Sequence, residues 1–291
     1  MNGKNIIAKP DWLKVRYNEK SVAEVNLLMD KLSLNTVCKE ANCPNLGECY
    51  KKRTATFMIM GNQCTRNCRF CNVIYGSPSK LNPQEPEHVA EAVKQLDLKH
   101  VVVTSVTRDD LIDCGAEHFA KTIKTIRKVC PDTTIEVLIP DLKGKENNLD
   151  IVIEANPDVI NHNIETVERL YDSVRPEANY ERSLFVLKYI KKKAPHIICK
   201  TGIMVGLGET DEEVYKVMDD AKNVNDDIFT IGQYLQPSSE HIDLVEYVTP
   251  EKFETYRQIG IKKGFKYIAS SPLVRSSYKA GEALETKRGT Q

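Results

Sequence analysis

Of the nine cysteines in this chain of 291 residues, six lie between positions 38 and 71: Cys38, Cys43, Cys49, Cys64, Cys68 and Cys71. The other three, Cys114, Cys130 and Cys199, are scattered. An odd number of thiols with no export signal suits thiolates kept reduced as metal ligands better than a disulfide scaffold. Cys64, Cys68 and Cys71 read C-x3-C-x2-C directly after a predicted strand, on the kind of βα loop that carries chemistry in barrels. Structural zinc motifs show paired C-x2-4-C spacings. A [4Fe–4S] cluster takes four ligands, so three cysteines on one loop leave one iron open to a substrate or cofactor. Upstream, Cys38, Cys43 and Cys49 read C-x4-C-x5-C around Asn42 and the turn Pro44-Asn45-Leu46-Gly47, a second set of three ligands. A zinc knuckle is the competing reading of that set.

Positioning these loops falls to an alternation of short β-branched runs with amphipathic stretches, the pattern of successive parallel βα units. Strands are predicted at 57–60, 101–104, 134–139, 159–163, 198–204 and 228–233, each nearly continuous in apolar character, as strands covered on both faces are. Val89, Val93 and Leu96, then Phe119, Ile123 and Ile126, recur at helical spacing behind the first two strands. A short third helix is predicted near 148–155, and Tyr180, Leu184 and Leu187 mark the fourth. Thr210 with Glu213 forms a capping box for the fifth, and Thr249-Pro250 opens the sixth. Six units are fewer than the eight of a closed barrel. The expected fold is therefore α/β, a partial (β/α)6 TIM-type barrel over residues 56–266. An N-terminal extension, 1–55, carries the first cysteine set and one helix marked by Val22, Val25, Leu28 and Leu32. A C-terminal extension, 267–291, holds one more apolar run and no seventh complete unit.

Forty-one Lys plus Arg balance 41 Asp plus Glu, which removes the main electrostatic support for nucleic-acid binding. No apolar run approaches the roughly 18 residues of a membrane span. The first 20 residues lack a continuous apolar segment and carry Asp11 and Glu19, so the expected address is cytoplasmic.

The run Cys64-Thr65-Arg66-Asn67-Cys68-Arg69-Phe70-Cys71 resembles the signature of the radical S-adenosylmethionine (SAM) enzymes, including the aromatic residue before the last cysteine. That resemblance implies an open iron chelating the methionyl amino and carboxylate groups, and a 5′-deoxyadenosyl radical generated by one electron. The spacing of Cys38, Cys43 and Cys49 is similar to that of one family within the superfamily, the lipoyl synthases. In them the second triad holds an auxiliary [4Fe–4S] cluster whose sulfides are donated to the substrate, and a serine of a C-terminal R-S-S-Y motif is its fourth ligand. The motif stands here as Arg275-Ser276-Ser277-Tyr278, and the resemblance assigns the ligand to Ser277. It implies insertion of two sulfur atoms at C6 and C8 of an octanoyl chain on a lysine of a carrier protein. The carrier would be the glycine-cleavage H protein or a dehydrogenase E2 lipoyl domain, with electrons from a ferredoxin- or flavodoxin-type reductant. A tRNA methylthiotransferase, another two-cluster radical enzyme, is the alternative within enzymes, and a zinc scaffold the alternative outside them.

Contacts to SAM are expected at strand ends. The hydroxyl of Ser105 suits an amino-acid head group, and Arg175 suits the methionyl carboxylate through a planar fork, against a solvated surface arginine. The resemblance places SAM contacts at Asn163 and Glu165, where an Asx turn is the plainer reading. Gly206 lies in Gly202–Glu209, which lacks the G-x-G-x-x-G order of a dinucleotide fold; the resemblance instead has it admit backbone to adenine, with Tyr234 presenting backbone to the same ring. Arg66 and Arg69 are expected to offset the charge of the first cluster. Asp113-Cys114-Gly115-Ala116 departs from the family's D-G-G-A, with Cys114 read as a packed thiol.

Overall fold

β-Branched runs bounded by Gly, Asn and Asp become strands because their side chains pack well on a pleated surface covered on both faces. In the computed structural model, which describes residues 8–14, 19–51 and 55–285, they form one eight-stranded sheet and a separate pair. The strands are β1 (Asn35–Thr36), β2 (Thr56–Ile59), β3 (Gln63–Cys64), β4 (Ile74–Tyr75), β5 (His100–Ser105), β6 (Thr134–Leu138), β7 (Val159–Asn161), β8 (Ile198–Val205), β9 (Ile228–Gln233) and β10 (Tyr267–Ser270). The large sheet runs β1-β2-β5-β6-β7-β8-β9-β10, parallel throughout except for β1. Its edges are β1 and β10, so the barrel is open. No helix among the described residues is long and apolar enough to cross a membrane. Residues 1–7 and 15–18 of the opening segment, read above for a targeting signal, lie outside the described residues.

The N-terminal helices are α1 (Glu19–Lys31), α2 (Val37–Glu40) and α3 (Leu46–Lys51); Val22 and Val25 of α1 are buried. The barrel helices are α4 (Glu85–Gln95), α5 (Ala116–Val129), α6 (Glu146–Glu154), a short α7 (Tyr171–Val174), α8 (Tyr180–Lys193), α9 (Asp211–Asn223) and α10 (Pro250–Lys262). The Thr210–Glu213 capping box opens α9, and Thr249 with Pro250 at the first turn opens α10. Six βα units form as expected. The apolar run at Tyr267, expected to lie outside the barrel, is a seventh parallel strand, with Tyr267 opposite Ile228 and Ser270 opposite Ile231. Among the described residues only the short helix Glu282–Glu285 follows it, so the βα repeat that marks the other strands is missing there.

Because side chains alternate across a strand, one face of each strand turns to the helices and the other to the lumen. The lumen face carries charge. Lys200 of β8 lies 2.8 Å from Glu136 of β6, His100 of β5 is 3.4 Å from the other Glu136 oxygen, and the Asn161 amide of β7 is 3.4 Å from the first. Burial pushes the Glu136 carboxyl up, but the Lys200 ammonium and the His100 ring outweigh it and hold the group at about 2. After β10 the chain crosses this lumen face. A side chain at Gly232 of β9 would overlap the Val274 carbonyl oxygen, Lys200 Nζ donates to the Ser276 carbonyl at 2.6 Å, and Gly281 lies against His100. The C-terminal segment thus fills part of the barrel it follows.

Candidate functional site

The cysteine loop starts where Met60 and Gly61, both at positive φ, turn the chain out of β2. It is then tied to the ends of other strands. Thr65 gives both its N–H and its hydroxyl to the Thr107 carbonyl, Arg69 N–H reaches the Val174 carbonyl, and His241 Nε2 meets the Cys71 carbonyl. Arg66, expected to offset cluster charge, is instead consumed by two carboxylates. Its guanidinium makes paired contacts of 2.7 and 3.0 Å to Asp109 and of 2.7 and 2.9 Å to Asp141, with its side chain 5% exposed. This double fork pins the cysteine loop to the loops after β5 and β6. Replacing Arg66 with Met leaves the buried Asp141 with a longer Arg182 contact as its one remaining ion pair and the Lys143 N–H as a neutral donor, so a loss of about 3–5 kcal/mol in urea unfolding is expected. Arg69 is exposed and free to face outward.

Around the three thiols the polar groups converge. Cys64 Sγ accepts from Thr107 N–H at 3.2 Å and from Arg66 N–H at 3.5 Å. Burial pushes the Cys68 thiol up, and the Arg175 guanidinium beside it pulls it back. Burial also pushes Cys71 up, to about 12, with Cys68, Cys64 and Glu165 adding to the shift. Burial of this kind disfavours the thiolate, and a bound cation would offset that cost. Arg175 is buried, so the surface-arginine reading falls; its Nη1 donates to the carbonyls of Asn163 and Ile164 and to the Tyr171 hydroxyl. Glu165 holds φ of 70°, a strained value for a residue with a side chain, and accepts from the Asn163 amide at 3.1 Å.

Buried polar atoms at these strand ends without a hydrogen-bond partner among the described residues include Ser105 Oγ, Asn163 Oδ1 and Arg175 Nε. Since buried polar groups are nearly always paired, they mark room for a polar ligand. Gly206 and Tyr234 behave otherwise than expected. A side chain at Gly206 would overlap Gln233 and the Glu246 carbonyl, and the Glu209 carboxylate already accepts the N–H groups of Gly206 and Leu207. Tyr234 donates its N–H to Val205, and its carbonyl accepts from the Gln233 amide. Its ring sits in a small apolar cluster with Val174 and Leu207, against which Phe70 packs. Both residues shape the walls through contacts inside the chain and do not offer free backbone. Cys114 is buried at φ of 54°, taking the left-handed conformation that glycine adopts more easily.

The second triad is built on α2 and α3. Thr36 caps α2, Cys43 N–H returns to the Cys38 carbonyl, and Asn42 turns the chain at φ of 47°. Burial pushes Cys38 up to about 12, and Cys43 and Cys49 add to it, so the three thiols share one neighbourhood. The C-terminal segment closes over them. The Asn45 amide donates to the Leu273 carbonyl at 2.7 Å, Arg275 faces Cys43, and the Tyr278 hydroxyl donates to Glu48 at 2.9 Å. Two links join this site to the first. Asn72, beside Cys71, donates to the Glu40 carbonyl of α2, and Asn163 donates to Ser276 Oγ at 2.6 Å.

Residues 58–221 match the model of the radical SAM superfamily. Over 283 residues the chain is 58% identical to the lipoyl synthase of Caldanaerobacter subterraneus subsp. tengcongensis, spanning 97% of this chain and 99% of that protein. The chain belongs to the lipoyl synthase family. The lipoyl synthase of Alkaliphilus metalliredigens is 52% identical, over 97% of each chain. Among solved structures, methylornithine synthase (PylB) superposes with a TM-score of 0.57 at 13% identity, covering 89% of this chain and 87% of that one. Streptococcus suis SuiB bound to S-adenosylmethionine gives 0.55 at 12% identity, covering 86% and 60%. These two share the fold.

A lipoyl synthase works with SAM and two [4Fe–4S] clusters, and the donor sets fit them. A tetrahedral zinc with bonds of about 2.3 Å would draw its ligands tightly together. Two half-buried thiol triads, each beside an arginine, suit larger, anionic clusters. Family membership also sets aside the methylthiotransferase alternative. Sequence reasoning missed Asn45, Glu48, Asn72, Glu136 and Lys200. For the last two a signal existed: each is a charge inside an otherwise apolar parallel strand.

Proposed function

We propose that in this lipoyl synthase Cys64, Cys68 and Cys71 hold the cluster that binds SAM, while Cys38, Cys43, Cys49 and Ser277 hold the auxiliary cluster. The family's reaction places two sulfur atoms on C6 and C8 of a protein-bound octanoyl chain. SAM and the two clusters, when bound, supply the radical and the sulfur. The chain's own residues supply placement and shelter. Arg175, with Nη1 fixed by two carbonyls, keeps the edge bearing its unpaired Nε for the methionyl carboxylate, and Asn163 Oδ1 is an acceptor for an amino or hydroxyl group. Glu165 lies beside both. The Phe70–Tyr234 apolar cluster excludes water from one wall.

The observation that carries this reading is the pair of direct links between the two triads, Asn72 to Glu40 and Asn163 to Ser276. They tie the surroundings of one triad to those of the other, which supports the action of both on one acyl chain. Of the two serines, Ser276 has its hydroxyl engaged by Asn163, which favours Ser277 as the ligand. The substrate is a lipoyl-type carrier protein; we assign it to the H protein or an E2 lipoyl domain, with a ferredoxin- or flavodoxin-type donor, in the reducing cytoplasm where six ligand thiols survive. Anaerobic turnover with octanoylated H protein, followed by mass spectrometry, tests the whole scheme. A carrier that gains two sulfur atoms, with 5′-deoxyadenosine formed alongside, is expected. No sulfur gain from an enzyme with both clusters intact overturns it.

A further inference from the structure

We propose that Lys200, neutralised by Glu136 inside the barrel, and Asn163 form a clamp on Ser276 that positions Ser277 at the second triad. The inference rests on the reading of Ser277 as a ligand.

The Lys200 and Glu136 side chains are at most 3% exposed and 2.8 Å apart inside the barrel. Such a pair seldom stabilises a fold more than apolar residues of equal volume would, so its effect has to be sought in what it holds. An ammonium has three donors. One goes to Glu136, and another goes to the Ser276 carbonyl at 2.6 Å. From the neighbouring strand end the Asn163 amide donates to Ser276 Oγ, also at 2.6 Å. The carbonyl and the hydroxyl of Ser276 are therefore both held by the barrel.

Ser276 and Ser277 are the central residues of a turn closed by Tyr278 N–H on the Arg275 carbonyl. The turn's ends are fixed elsewhere, Arg275 beside Cys43 and Tyr278 on Glu48. The peptide joining the two serines is planar, so a carbonyl drawn to Lys200 sends the Ser277 N–H the opposite way, away from Lys200. A hydroxyl is a weaker iron ligand than a thiolate and will not by itself hold a chain segment in place. The clamp supplies that placement. The same Asn163 amide nitrogen also donates to Glu165, so Ser276 is registered against the first site as well as the second.

Iron release from the anaerobic holoenzyme to a chelator, followed by absorbance, tests the clamp without turnover. Ser277→Ala identifies the phase that belongs to the second triad by speeding it. Ser276→Ala and the double variant K200M/E136Q are then expected to speed that same phase about tenfold, with the other phase unchanged. Ser276→Thr, which keeps the hydroxyl, is expected to restore the original rate. Ser276→Ala alters no barrel strand, so it decides the matter even where the double variant does not fold. If Ser277→Ala speeds release while Ser276→Ala and the double variant match the wild type, the clamp is wrong and the ligand reading stands. If Ser277→Ala itself changes neither phase, the ligand reading fails and the clamp goes with it.

Discussion

Cys68→Ala is expected to abolish both 5′-deoxyadenosine formation and sulfur insertion, a loss well beyond the roughly 10- to 100-fold that follows removal of an outer-shell partner. Cys68 is the central thiol of the loop and the one beside Arg175. On the proposed assignment, its removal leaves two loop ligands where three are needed to leave a single iron open. The loop itself should survive, because main-chain contacts hold it: Arg69 N–H on Val174, Gly76 N–H on the Cys64 carbonyl, and the Thr65 pair on Thr107. Chromatography of deoxyadenosine under a chemical reductant measures the loss. Urea unfolding within about 1 kcal/mol of the wild type separates lost chemistry from lost structure.

Ser277→Cys is expected to separate the two halves of the reaction. A thiolate binds iron more firmly than a hydroxyl does, so the fourth position of the second triad no longer releases readily. On the proposed assignment, hydrogen abstraction depends on the Cys64, Cys68 and Cys71 site and continues. Deoxyadenosine should therefore form while the dithiolated carrier falls by about tenfold or more, roughly the effect of 1.4 kcal/mol at the step where the ligand departs. The ratio of deoxyadenosine to product, from one anaerobic reaction, reads this directly. An unchanged ratio removes Ser277 from the ligand set.

Much of the frame was legible because local rules govern it. The six strands appear within two residues of their expected limits, and the Thr210 and Thr249 caps open the helices they announce. β10 escaped because a four-residue apolar run without a barrel helix behind it carries no βα signal; only pairing with β9 makes it a strand. Arg66 was misread for a related reason. Its sequence neighbours are cysteines, but its partners Asp109 and Asp141 come from two other loops, and proximity along the chain says nothing of them. Gly206 carries a similar lesson. The need for a missing side chain was visible, but what fills the space, Gln233 and the Glu246 carbonyl, was not.

The sequence by itself determined the grouping of the six thiols. Thiol spacings of three and two residues, or four and five, are short-range facts, and a loop that short confines its donors to one neighbourhood whatever surrounds it. It also determined the parallel βα order, since hydrophobic period is read locally. Only the tertiary structure decided how the two triads relate: through Asn72 on Glu40, through Asn163 on Ser276, and through a buried Lys200–Glu136 pair under the crossing C-terminal segment. These contacts join residues 32 to 113 positions apart. Their partners are set by how the barrel closes on its own tail, and no periodicity within either segment encodes that geometry.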